Sequence, residues 1–250
     1  MTNPDSLRLA HSPIVEMVVD IDCDLPADLE IADLEQRARE CYSDQYPGFR
    51  RILRPLPRSG DSREQLNIRE ATYAFQFLEE GPQLVQLRRD GFSFNRFPPY
   101  ADLDEYLPEI KRTWSVFVDL VSPVTIRRIG LRYINRIFLP FGEDIVNLDE
   151  YLRLGPGLPH ETALKFTSVL NEYSAIEDVT DHEVKVRMVI DEQERTDQPL
   201  PVILDIAGSH RRSADPQVWE NIEATILALR GLANAIFRSS LTKQCLNLFR

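Results

Sequence analysis

The sequence predicts an α+β fold built from two similar halves, each strand, helix, antiparallel strands, long helix, packed as a pseudo-twofold pair. Three observations lead there. Short β-branched runs are separated by turn residues, two long amphipathic stripes occur, and the order of elements starts again after Pro123. The halves span residues 1–122 and 123–250, as two lobes or as one continuous domain, and each has a common domain size.

"SPIVEMVVDIDCD" is a mostly apolar β-branched run behind Pro13 and reads as a strand with a polar end. In the segment that follows, Leu34, Ala38 and Cys41 fall near one helical face, and Pro47-Gly48 closes it. Residues 50–66, with two prolines and a Ser-Gly-Asp-Ser cluster, predict an edge strand running into an exposed loop most flexible near Gly60. "ATYAFQFL" and "QLVQLRRDGFSFNRF" around "EEGP" predict a hairpin or meander. Leu103, Leu107, Ile110, Trp114, Phe117 and Val121 then form the stripe of a long helix that Pro123 ends.

The second half opens with the strand "VTIRRIGLRYINRIFLP" and a short helix at "NLDEYLRL". Apolar runs at "ALKFTSVLNEYSAI", "HEVKVRMVI" and "LPVILDIAG" supply further strands. Asp215-Pro216 reads as an N-cap and first-turn pair, and Trp219, Ile222, Ile226, Leu229, Ala233 and Ile236 as the closing helix's stripe. Two halves arranged this way imply a cleft where they meet, a common place for a ligand.

Net charge is −11 over 250 residues, so the average field repels nucleic acid and anionic lipid, and only a local basic patch could overcome it. Nucleic acid is therefore disfavoured as a partner. No segment holds the roughly 18 apolar residues of a membrane helix, and "MTNPDSLRLAHSP" lacks a signal-peptide core. Three cysteines at no metal-binding spacing predict a reducing, cytoplasmic setting. These features leave the oligomeric state open.

"TIRRIGLRYINRI" concentrates four arginines in this acidic chain. As a strand it places Ile129, Leu131, Tyr133 and Ile137 on one face and Arg128, Gly130, Arg132, Ile134 and Arg136 on the other. Arg128, Arg132 and Arg136 would then stand roughly 13 Å apart in succession, a spacing suited to an extended anion or an acidic surface. Ion pairing with nearby carboxylates is the competing reading. "LVQLRRDGFSFNRFPPY" echoes this mixture, with Asn95-Arg96 before prolines as Asn135-Arg136 precedes Pro140. Arg128, Arg132, Asn135, Arg136, Asn95 and Arg96 are the predicted ligand-binding residues.

"SPIVEMVVDI", "DGFSFNRFPPY", "RIGLRYINRI" and the closing "FRSSLT" together resemble a sporadically distributed, functionally uncharacterised bacterial protein family over nearly the whole chain. The resemblance implies a bacterial cytoplasmic protein of scattered occurrence, a pattern typical of mobile defence or addiction modules. It transfers no catalytic residue.

Phosphate-cradling glycine motifs and the G-x-S-x-G nucleophile motif are absent from the sequence. His11, His160, His182 and His210 lie far apart, so neither a metal nor a cofactor is expected. Ser209-His210, in the predicted connector "IAGSHRRSADP", suggests a nucleophile and base, but adjacent residues on extended chain point apart. The leading expectation is a non-enzymatic binding or regulatory protein that takes a small anionic ligand or an acidic partner segment on the arginine-lined face. The alternatives are a protein-protein component of a bacterial defence or toxin-antitoxin module, and an enzyme acting on a phosphorylated substrate.

Overall fold

The computed structural model describes residues 9–55, 70–140, 148–153, 168–190 and 199–250. Its strands are β1 (Ile14–Asp24), β2 (Gly48–Pro55), β3 (Glu70–Leu78), β4 (Gln83–Arg88), β5 (Gly91–Arg96), β6 (Thr125–Leu139), β7 (Val169–Ile176), β8 (Glu183–Ile190) and β9 (Leu200–His210). The helices are α1 (Glu35–Tyr42), α2 (Leu103–Val121), α3 (Trp219–Ser240) and α4 (Lys243–Asn247). All nine strands form one antiparallel sheet, in the order β2-β3-β4-β5-β1-β6-β9-β8-β7. From the adjacent β1 and β6 the strands run outward as β5, β4, β3, β2 on one side and β9, β8, β7 on the other. The first strand of each half therefore pairs with the last strand of its own meander.

Period-two alternation decides which face is buried. On β1, Met17, Val19, Ile21 and Cys23 are buried while Val18, Asp20 and Asp22 are only partly covered. Val19 lies opposite Phe94 on β5 and Leu131 on β6, so one apolar layer continues across the join between the halves. The described helices cover this layer. Trp114 and Phe117 of α2 pack on Phe92, and Tyr42 of α1 stacks on Phe77 while donating its hydroxyl to the Thr113 carbonyl at 2.8 Å. α3 lies along β6 and β9, where Gly208 lets Leu229 approach: a Cβ there would stand 3.2 Å from Leu229 Cδ2.

Several sequence expectations need correction. The described strands form one sheet, so of the two places open for a cleft, between sheets or between helices, the gap lies in the helix layer, between α2 and α3. Asp215 does not cap α3. Its carboxylate accepts from the Gln217 amide at 2.8 Å in a local turn, and the helix starts at Trp219 after Val218. Phe237, rather than Ile236, completes the buried stripe of α3, and Tyr42 takes the buried place expected of Cys41, which is exposed. The helix expected at "NLDEYLRL" is a single 3-10 turn, Leu148–Glu150. Ser209 and His210 belong to β9 and are not in a connector. The loop around Gly60 lies outside the described residues.

Candidate functional site

The face opposite the helices carries most of the predicted arginines, and acidic side chains engage two of them. Arg128 reaches back across Gly130 to Asp20 on β1, and its Nε donates to Asp22 at 2.8 Å. A Cβ at Gly130 would fall 2.6 Å from Arg128 Nη1, so a side chain there would push the guanidinium aside. Arg88, from β4, meets the same carboxylates at 2.8 Å, passing over Gly91, which lies in register between it and Asp22. Arg132 makes a two-pronged contact with Asp205 at 2.8 and 2.6 Å, although its side chain is 48% exposed. Arg136 is exposed and lies over the Phe138 ring at 5.1 Å.

The other predicted residues separate. Asn95 donates to Glu16 at 2.6 Å on the same open face. Arg96 turns toward the helix side, donating to the Pro99 carbonyl at 3.0 Å and covering the Tyr106 ring. Asn135 also faces the helices, not the arginines, and is 2% exposed. The six predicted residues thus do not form one site.

The paired aspartates differ. Burial raises the Asp20 pKa above its ordinary 3.8, and Arg88 and Arg128 offset this only in part. Burial acts on Asp22 too, but the hydrogen bond and charge of Arg128, aided by Arg88, outweigh it and leave its pKa lowered. A lowered folded pKa adds stability above the unfolded value, and that stability is lost as pH falls through the folded value. A raised one acts oppositely: its contribution is present below the unfolded pKa and is lost as pH rises through the folded pKa. Asp22→Asn is therefore expected to lower the urea midpoint at neutral pH more than Asp20→Asn does. The difference should shrink below pH 3.8, the ordinary value, as Asp22 itself protonates. Equal losses at every pH would contradict this assignment.

On the helix side, Asn135 borders a cavity of about 340 Å³. Its floor is Tyr133 and Asn135 of β6 with Ile206 of β9, which is paired in register with Tyr133. Tyr100, Asp102 and Glu105, at the start of α2, line one wall, and Arg230, Ala233 and Phe237 of α3 line the other. The cavity lies where the halves meet. Volumes of this order hold small molecules.

The polar groups around it are held in place. Asn135 Nδ2 donates to the Leu204 and Tyr133 carbonyls at 3.0 and 3.4 Å. The Tyr100 and Tyr133 hydroxyls are 3.4 Å apart. Burial pushes Tyr133 up to about 12 and moves Tyr100 far above the phenol range, so both stay protonated at neutral pH. Arg230, 3% exposed, donates from Nη1 to Asp104 at 2.6 Å and to Asp102 at 3.4 Å, linking α3 to α2. Among the described residues its Nε is buried without a partner, a rare state for a donor in a folded interior. Asp102 also caps α2, accepting from the Asp104 amide at 3.2 Å.

Sequence reasoning missed Arg230, although a signal was present. It sits four residues after Ile226 and three before Ala233, on the buried stripe of α3, where a charge has no place without a partner. Ser209 and His210 fall on opposite faces of β9: Ser209 lies opposite Gly130, while His210 meets the His182 ring edge-on at 5.0 Å. Among the described residues no three His, Cys, Asp or Glu side chains are grouped to hold a metal ion. No described helix is long and apolar enough to cross a membrane. No protein-family model, curated protein or solved structure matches the chain.

Proposed function

We propose that this protein binds a small molecule in the cavity between α2 and α3, and that its role is recognition or regulation. One observation carries the reading: buried Arg230, Asn135 and Tyr133, from two different elements, converge on one ligand-sized space. Polar side chains are costly to bury, and a core built only for stability is better filled with apolar ones. Supporting it is the cavity's position at the junction of two halves whose strand orders outward, β1-β5-β4-β3 and β6-β9-β8-β7, correspond. That correspondence favours residues 13–122 and 124–243 as copies of one unit, with β2 an addition to the first.

A second reading keeps the open sheet face as a dock for an acidic segment. A shallow concavity of about 530 Å³ favours it, lined by Ala207, Gly208 and Ser209 beside Arg128 and Lys185. Arg128 already holds two carboxylates there, which an incoming acid would have to displace.

Ala233 is the position from which to test the cavity, since a leucine there extends into the space without removing a polar group. Native mass spectrometry after gentle isolation is expected to find a small molecule on the wild type and none on a folded Ala233→Leu variant. Equal occupancy in the two proteins, or a bound molecule that leaves only on Arg128→Ala, would move the site to the open face.

A further inference from the structure

If the cavity between α2 and α3 is the ligand site, as proposed above, its chemistry narrows the ligand, and we infer that this ligand is a small organic amine bound as its ammonium cation. The inference rests on that reading and adds the sign of the charge. It reverses the expectation of an anion that the arginine-rich strand creates.

Charge is the first ground. Asp102 and Glu105 line the cavity, and Asp104 is bound to Arg230 beside it, so among the described residues three carboxylates lie at or beside the cavity against one guanidinium. The amide ends of α2 add only about half a positive charge, and the Asp102 cap already uses one of those amides. A bound anion would face a net negative surrounding, whereas a cation would relieve it.

Hydrogen-bonding capacity points the same way. Arg230 directs Nη1 at Asp104 and Asp102, so its charge is already engaged by two carboxylates. Both amide protons of Asn135 go to backbone carbonyls, so what its side chain still offers is the carboxamide oxygen, an acceptor. Asp102 and Glu105 add charged acceptors to the lining, which suits a group with three N–H bonds. Tyr100, Tyr133 and Phe237 line it with aromatic rings, whose faces attract ammonium groups. The Arg230 Nε, with no partner among the described residues, offers a donor to a neutral acceptor on the same ligand.

The test is a fragment panel of matched triplets, each scaffold carrying an amine, a carboxylate or a hydroxyl, titrated into wild type and Ala233→Leu. Binding that Ala233→Leu abolishes is cavity binding. Within it, amines are expected to bind about ten-fold or more tightly than their carboxylate partners. The double variant Asp102→Asn with Glu105→Gln should erase that preference, and asparagine retains the helix cap. A circular-dichroism melt of each variant shows whether it is folded. If cavity binders are carboxylates, or if amines keep their advantage in the double variant, the inference of an amine falls while the cavity reading stands. If no fragment binds in a way that Ala233→Leu abolishes, the cavity reading itself falls, and the inference with it.

Discussion

Trp114→Ala is expected to cost about 3 to 5 kcal/mol in chemical denaturation, the range for truncating a large buried aromatic. Trp114 is 2% exposed, with its ring stacked on Phe117 at 5.2 Å and meeting Phe92 edge-on at 5.6 Å. The truncation also orphans an acceptor, because the indole N–H donates to the Pro216 carbonyl at 3.0 Å and so ties α2 to the segment leading into α3. Trp114→Phe separates the two contributions. It keeps most of the packing and should lose only about 1 kcal/mol more than the volume change alone. A loss below 1 kcal/mol for the alanine variant would mean that α2 is not anchored through this face. Since the cap and first turn of α2 carry Asp102 and Glu105, loosening the helix should also weaken whatever the cavity binds.

Gly91→Ala is expected to be as damaging for a backbone reason. Gly91 has φ +149, a conformation side chains rarely adopt, and a Cβ there would stand 2.0 Å from the Ile21 carbonyl oxygen and 2.9 Å from Asp22 Cα. Both neighbours are backbone atoms of the central strand β1, so neither can swing aside. Strain and overpacking each cost about 1 to 3 kcal/mol, and together they should lower stability by roughly 3 kcal/mol or more. Gly231 is the internal control: a Cβ there meets nothing within 4 Å, and alanine in mid-helix is worth roughly 0.5 to 1 kcal/mol over glycine. The two substitutions should shift the urea midpoint in opposite directions. A stable Gly91→Ala protein would show that β1 and β5 can part locally without cost.

Local patterning made the elements legible. The six positions read as the α2 stripe are all buried, and the alternation of β6 sorts Ile129, Leu131 and Tyr133 from Arg128, Arg132 and Arg136 as expected. The joining of β1 to β6 was not legible, because it pairs residues more than a hundred positions apart, such as Val19 with Leu131, and no local signal encodes such a partner. The start of α3 misled for a chemical reason: Asp215-Pro216 is as good a turn as it is a helix start. Asn135 was singled out, but for the wrong face. Strand parity groups it with Tyr133 and Ile137, and its amide completes the backbone bonding of β9 through Leu204. The arginines drew attention by number, whereas a single arginine on an apolar helix stripe, Arg230, marked the cavity.

The most direct measurement is an NMR titration that follows two reporters, the side-chain amide of Asn135 and the Nε–Hε signal of Arg132, as the best-binding amine of the panel is added to saturation. Asn135 borders the cavity and Arg132 lies on the opposite face of the same strand. The account predicts that the Asn135 signals move in proportion to occupancy while Arg132 stays in place. Movement of Arg132 with Asn135 unchanged would contradict it and place recognition on the arginine-bearing face of the sheet.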